Sequence, residues 1–290
     1  VERELSMVSG KQAPPAQRAG VSRYASLAFP STVDLSRDGE IARFRGRTLV
    51  VLSPHFDDAC FSLGCFLAAM GRGMLINIFT HGLYLPRRED GDTAPIDQRL
   101  VFDIRDGEDQ AFGERCGLTR DDLGCEEPVL RGRRPNDLSR VEDDIGQIEK
   151  PILAKLEKIA ARFADGERGV LFAPMGVGRH ANHRATAETV LRHLEKIGVR
   201  YDVFFYEDQP YAGHLIDRIR ALLRINSRSR KLSVRYVLTP DWAEKSALLA
   251  LYPTQLRNRP QRWRFWPMAA WPLAPHEAFW SLAASPQTNG

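Results

Sequence analysis

His55, Asp57 and Asp58 fall within four positions of the stretch VVLSPHFDDACFSLG, and His180 and His183 fall together much later, in GVGRHANHR. His55 and Asp58, three apart in one tight turn, can point to a common spot, and His183, or His180 beside it, can arrive there from the later loop. Two imidazoles and a carboxylate make a donor set suited to a catalytic zinc that keeps one position open for water. Zinc lowers the pKa of its water from about 15.7 to about 7. A neighbouring carboxylate that is not a ligand can take the water's proton, and a further imidazole can steady an oxyanion or protonate a leaving amine. Asp57 and His180 are placed for these two tasks, and amide hydrolysis is the chemistry that follows. Each residue also has a plainer use. Asp57 or Asp58 can cap the helix that follows, His55 can sit at the surface, and His180 and His183 can share an exposed helix face. His81, in FTHG at the end of another apolar run, is a further polar group near the same mouth.

The elements that must carry these residues follow a βα rhythm. RTLVVLS reads as a continuous apolar strand of the kind covered by helices on both faces. DDACFSLGCFLAAMGRG reads as the helix after it, stopped by Gly71 and Gly73, and MLINIFT as the next strand. IDQRLVFDIRDGEDQAFGERCGL is a second helix closed by Gly117, a charged connector spans 131–144, and another helix lies near 151–164. GVLFAPM, NHRATAETVLRHLEKIG and RYDVFFYED continue as strand, helix and strand. The pattern predicts an α/β, Rossmann-like fold, a mostly parallel sheet with helices on both faces. Both histidine clusters then lie at carboxyl ends of strands, where such sheets bind ligands. After Tyr211 the alternation loosens. DWAEKSALLALY is a helix with Asp241 as its N-cap, and the segment holding Trp263, Trp266, Trp271 and Trp280 is expected to form a C-terminal cap laid over the sheet. Residues 1–26 and 285–290 read as tails flanking one domain over 27–284.

With 290 residues, 43% of them hydrophobic and 27% charged, the chain can build a sizeable core. A formal charge of +4, spread along the chain, demands no nucleic acid. The densest basic stretch, IDRIRALLRINSRSRKLSVR over 216–235, could draw an anionic ligand or membrane surface, but reads first as the solvated face of a helix and its loop. Cys60, Cys65, Cys116 and Cys125 include no CxxC pair and look like reduced core residues of a cytoplasmic protein. No apolar run suggests a signal peptide or a transmembrane segment.

Taken together, the residues resemble the PIG-L and LmbE-like zinc N-deacetylases. PHFDDA is similar to their HPDD-type signature and GVGRHANH to their later HxxH signature. IRDGEDQAFGERCGL, FFYEDQPY, EKSALLALYPTQL and HEAFW echo further family segments in the right order, so the resemblance spans about 47–280. It implies that His55, Asp58 and His183 bind Zn2+, or another divalent transition metal, that Asp57 is the general base, and that His180 supports the oxyanion and leaving group. The implied substrates are small-molecule amino-sugar conjugates that lose an N-acetyl or small N-acyl group. Arg105 is then a substrate contact, or the partner of Glu108 in a structural ion pair, and Glu207 and Asp208 help shape the pocket. Phe56 and Ala59 depart from the family's usual proline and glutamate at positions that supply no ligand. Asn182 replaces the aspartate of the HxDH form, removing a charge able to orient a histidine. Gly178 stands where some members carry a tyrosine, so any role of that hydroxyl must be absent or supplied elsewhere.

Two other readings compete. A carbohydrate-binding pseudoenzyme of the same fold is motivated by Asn182 and the Trp-rich end. A nucleotide-binding methyltransferase or dehydrogenase is disfavoured because the turn after the first strand lacks GxGxxG. The aglycone and the oligomeric state, homo-oligomer included, have no readable code.

Overall fold

The computed structural model describes residues 31–37, 39–85, 97–228, 231–256 and 275–283. Among them runs one eight-stranded sheet, in the order β1 (Ser31–Asp34), β7 (Leu232–Leu238), β8 (Glu277–Leu282), β6 (Tyr201–Tyr206), β5 (Gly169–Pro174), β2 (Leu49–Ser53), β3 (Gly73–Asn77) and β4 (Leu118–Asp122). All pairings are parallel except those of β8, which runs antiparallel to both β6 and β7. The mostly parallel α/β sheet expected from the βα rhythm is therefore present.

Central strands are apolar throughout because both faces are covered, and their side chains divide by alternation. Val50 and Leu52 of β2 join Leu171 and Ala173 of β5 and Val203 and Phe205 of β6 on one face, under α3 (Val141–Ala160), α4 (Ala181–Arg192), α5 (Leu194–Gly198) and α6 (Leu215–Asn226). Leu49, Val51, Val170, Phe172, Phe204 and Tyr206 point the other way, onto α1 (Asp58–Met70), α2 (Gln98–Cys116) and α7 (Trp242–Leu249). Phe44 sits in that second layer, edge-on to Phe66 and Phe279 at ring-centroid distances of 5.4 and 5.5 Å.

The end of the chain differs from expectation. Rather than lying over the sheet, its last described piece is β8, inserted between β6 and β7 with Phe279 and Trp280 buried. Trp263, Trp266 and Trp271 lie outside the described residues, as do both expected tails, 1–26 and 285–290. The basic stretch yields α6 as read, but its LSVR portion is strand β7 and not loop. Helix α3 starts earlier than read and carries Pro151 in its interior.

Two of the family echoes serve the scaffold. Lys245 of α7 donates to the carbonyls of Cys60 and Phe61, and Glu277 of β8 accepts from the backbone N–H groups of Cys65 and Phe66. The two side chains pair at 2.6 Å while almost fully buried. This ion pair is spliced into α1, and it ties the helix that carries the site to the last strand. All four cysteines are free and buried. Among the described residues, no helix is long and apolar enough to cross a membrane.

Candidate active site

The PHFDD turn leaves the carboxyl end of β2 in a fixed shape. Ser53 donates its hydroxyl to the His55 carbonyl at 2.5 Å and accepts from the Ala59 backbone N–H, so the serine supplies the hydrogen bond that a capping aspartate could have made. Asp57, at the N-cap, makes no side-chain capping bond. Phe56 is fully buried beside Phe102, with the guanidinium groups of Arg105 and Arg120 each 5.9 Å from its ring centre. Tyr252 reaches across from the chain after α7 and donates to the Phe56 carbonyl at 3.0 Å. The turn is held by its neighbours, and the Asp57 carboxylate is left for another use.

His55, Asp58 and His183 come together. One Asp58 carboxylate oxygen lies 3.0 Å from Nδ1 of His55 and 3.2 Å from Nε2 of His183, and it also accepts the His55 backbone N–H at 2.9 Å. The three side chains offer ligand atoms within 4.8 Å of one another, all buried. Ligands about 2.1 Å from a tetrahedral zinc stand roughly 3.4 Å apart, close to the spacing here. His183 Nε2 is buried and, despite its nearness to Asp58, makes no hydrogen bond, so its tip points into space shared with the other donors. Its far nitrogen is fixed by Asp208, whose carboxylate lies 2.7 Å from Nδ1 and also accepts the Val177 backbone N–H. The carboxylates around His183 demand positive charge. Burial alone would lower the pKa of His183, yet Asp58 and Asp208 push it up to about 10, and a divalent cation answers the same demand. The donor set therefore fits a metal.

Asn182 keeps contact with this group although it lacks the charge of an aspartate. Its amide lies 2.9 Å from Nε2 of His55. The amide N–H donates to the Nε2 lone pair, and the Nδ1 proton of His55 points to Asp58. His180 is the N-cap of α4, and its Nδ1 accepts the Asn182 backbone N–H at 3.3 Å, which places the ring proton on Nε2. Burial, and then the neighbouring His55 and His183, hold its pKa well below the ordinary histidine value. His180 thus presents an Nε2–H to the cavity. The three rings are mutually close, His55 4.6 Å from His180 and 5.3 Å from His183 by centroid.

A cavity of about 360 Å³ opens beside them, lined in part by His55, Asp57, Asp58, Arg105, His180 and Tyr211. Arg105 faces it with one nitrogen 3.3 Å from Asp57 and another 3.4 Å from Glu127. Its expected partner Glu108 turns elsewhere, accepting from the backbone and hydroxyl of Thr254. Burial, and then the charge of Asp58, raise the Asp57 pKa above the usual aspartate value, against the pull of Arg105. Burial, and then the carboxylates of Asp58, Asp57 and Asp208, push the Tyr211 phenol up, so it keeps its proton.

Three residues expected at the pocket are not on its wall. The Glu207 carboxylate is consumed by Arg218, Arg235 and the indole N–H of Trp280. Asp208 stands behind His183 and orients it. His81 stacks on Phe102 at 5.5 Å and joins a bridge to Glu126. Conversely, Glu127, Tyr211 and Gln255 line the cavity without having been assigned to it. Tyr211 and Gln255 sit in the quoted segments FFYEDQPY and EKSALLALYPTQL, but only the folded chain brings them to the site. Leu83, Tyr84, Val129 and Pro135 also line the wall, and 86–96 lie outside the described residues.

The fold is similar to that of solved deacetylases. A pseudoaglycone deacetylase matches 83% of this chain and 99% of its own at TM-score 0.57 and 19% identity. A zinc-inhibited form of teicoplanin deacetylase matches 83% of this chain and 100% of its own at TM-score 0.58 and 19% identity. In sequence, the chain is 33% identical over 180 residues to 2'-N-acetylparomamine deacetylase of Streptomyces fradiae, a match covering 58% of this chain and 59% of that relative's length. No family model matches the chain. The resemblance to PIG-L and LmbE-like deacetylases, drawn from the two histidine motifs, is borne out by these relatives.

Proposed function

We propose that this protein is a zinc-dependent N-deacetylase that removes an acetyl, or similarly small acyl, group from an amino sugar within a larger conjugate. One observation carries the reading: a buried His55–Asp58–His183 donor group opens onto a cavity whose wall also holds a carboxylate, Asp57, that neither caps a helix nor belongs to the donor group. The relative 2'-N-acetylparomamine deacetylase supports the amino-sugar substrate, and a cavity of about 360 Å³ is within the size that takes one sugar ring.

His55, Asp58 and His183 would hold the ion. Bound there, zinc supplies a Lewis acid that makes water a nucleophile near neutral pH and polarises a carbonyl. Asp57 takes the proton of the attacking water, and Arg105 keeps that carboxylate turned to the cavity. His180 offers its Nε2 proton as a hydrogen bond to the reacting group. Asp208 and Asn182 fix the rings of His183 and His55, so neither imidazole must reorient during turnover. The four unpaired cysteines suit a reducing compartment, and action in the cytoplasm is part of the same reading.

The test is acetate release by zinc-loaded protein from a panel of N-acetylglucosamine conjugates and N-acetylated aminoglycosides. Turnover of at least one, lost with zinc on chelation and restored by adding it back, is expected. Failure to release acetate from any of them by stoichiometrically loaded protein would overturn the reading.

A further inference from the structure

Tyr211 lines the cavity, and its hydroxyl makes no hydrogen bond to the described residues. Two separate features place it. The turn after β6 is anchored where Gln209 donates its backbone N–H to Ser62 and Asp208 accepts from the Ala212 N–H at 2.8 Å. That same turn delivers Asp208 to His183 and Tyr211 to the cavity wall, so the imidazole and the phenol are set by one rigid piece of chain. The Tyr211 ring packs edge-on against His183 with centroids 5.2 Å apart. On its other side lies Gly178, at φ +86°, where a Cβ would come within 3.1 Å of the Tyr211 ring. A residue larger than glycine at 178 would displace the tyrosine, and its left-handed backbone favours glycine as well.

Around the donor group, Asp57 is engaged by Arg105, His180 Nδ1 by the Asn182 N–H, and His55 by Asp58 and the Asn182 amide, which leaves the Tyr211 hydroxyl and the His180 Nε2–H as donors facing the cavity. A phenol is protonated at neutral pH and donates a hydrogen bond. We propose that the Tyr211 hydroxyl donates to the carbonyl oxygen of the scissile amide and stabilises the charge it gains when water adds, an inference that rests on the deacetylase reading. As the water oxygen bonds to the carbonyl carbon, the π pair moves onto the carbonyl oxygen and the water's proton passes to Asp57. When the C–N bond breaks, the pair returns to the carbonyl, the amine takes that proton, and Tyr211 keeps its own throughout. Tyr211 is thus a catalytic residue, and Gly178 leaves the room its ring occupies.

The test is Tyr211→Phe, which removes a hydroxyl that holds no other element in place. Loss of one such donor costs on the order of 10²–10³ in kcat. We expect a fall of that order with KM changed less than about 3-fold and with zinc affinity, read by competition against a chromophoric chelator, unchanged. A phosphonate that replaces the acetyl carbonyl should bind the variant about 100-fold more weakly than wild type, while the free amine product binds both alike. Tyr211→Phe with kcat within about 3-fold of wild type, or with the loss confined to KM, overturns the proposal and leaves the deacetylase reading standing. A wild type that releases no acetate in the same assay overturns that reading, and the inference with it.

Discussion

Two buried charge clusters lie near the carboxyl ends of the central strands, and they are built differently. Around Glu207 every oxygen is spoken for: Arg218 approaches at 2.9 and 2.7 Å, Arg235 at 3.0 Å and the Trp280 indole at 2.8 Å. Around Asp58 the network is incomplete, and His183 Nε2 and the Asn182 side-chain oxygen are left buried and unpaired. A closed network stabilises the fold, because breaking it strands a charge away from water. An incomplete one, beside a cavity, marks where something else must bind. Glu207 and Asp208 illustrate the contrast, since neighbours at the end of a strand face opposite ways, one into each cluster.

The comparison breaks most sharply at Asp57. Asp57→Asn should keep full zinc occupancy and the wild-type melting temperature while lowering kcat by about 10²–10⁴, the range for a lost general base. Equal loss of zinc and activity would instead make Asp57 part of the donor group.

In the closed cluster, Glu207→Gln should destabilise the fold by about 3–5 kcal/mol in chemical denaturation, because it leaves Arg218 and Arg235 facing each other without a buried anion. Its zinc stoichiometry should not change. The pH dependence has a definite sign. Burial alone would raise the Glu207 pKa, but Arg235 and Arg218 hold it well below the ordinary value of 4.5. A depressed carboxylate contributes stability that is complete above the unfolded value of 4.5 and is lost as pH falls through the lower native one. Wild type should therefore lose stability on acidification below that value, and Glu207→Gln should show a shallower loss. An identical acid limb in the two proteins would remove Glu207 from the account.

The smallest effect is expected at the partner of His55. Asn182→Ala removes the amide that fixes the ring and should weaken zinc binding by about 10–100-fold with little change in melting temperature of the metal-free protein. An unchanged zinc affinity would show that the ring is held by the turn alone.

How much of this was legible in the chain depends on how local the information is. The PHFDD and HANH segments stand out because their functional residues lie within a few positions of each other, each at the end of an apolar strand. Helices α1 and α2 are readable from their apolar spacing and terminal glycines, Gly71 and Gly117. The cavity's other walls are not local. Glu127, Tyr211 and Gln255 reach it from three distant stretches, and nothing in their immediate neighbours distinguishes them from surface polar residues. Arg105 and Glu108, spaced as a helical ion pair, are instead drawn apart by Asp57 on one side and Thr254 on the other. Strand β8 was hidden for a related reason: six residues following a Trp- and Pro-rich stretch read as a covering segment until β6 and β7 are seen to leave room for a strand between them.

The central claim is that one metal ion is held where β2 and β5 deliver their loops. Anomalous diffraction at the zinc edge, from crystals grown with zinc and of the His55→Ala variant grown alike, tests it most directly. The account predicts a single strong peak in wild type about 2.0–2.2 Å from nitrogens of His55 and His183 and an oxygen of Asp58, absent from the variant. A peak elsewhere, or none at full zinc loading, would contradict it.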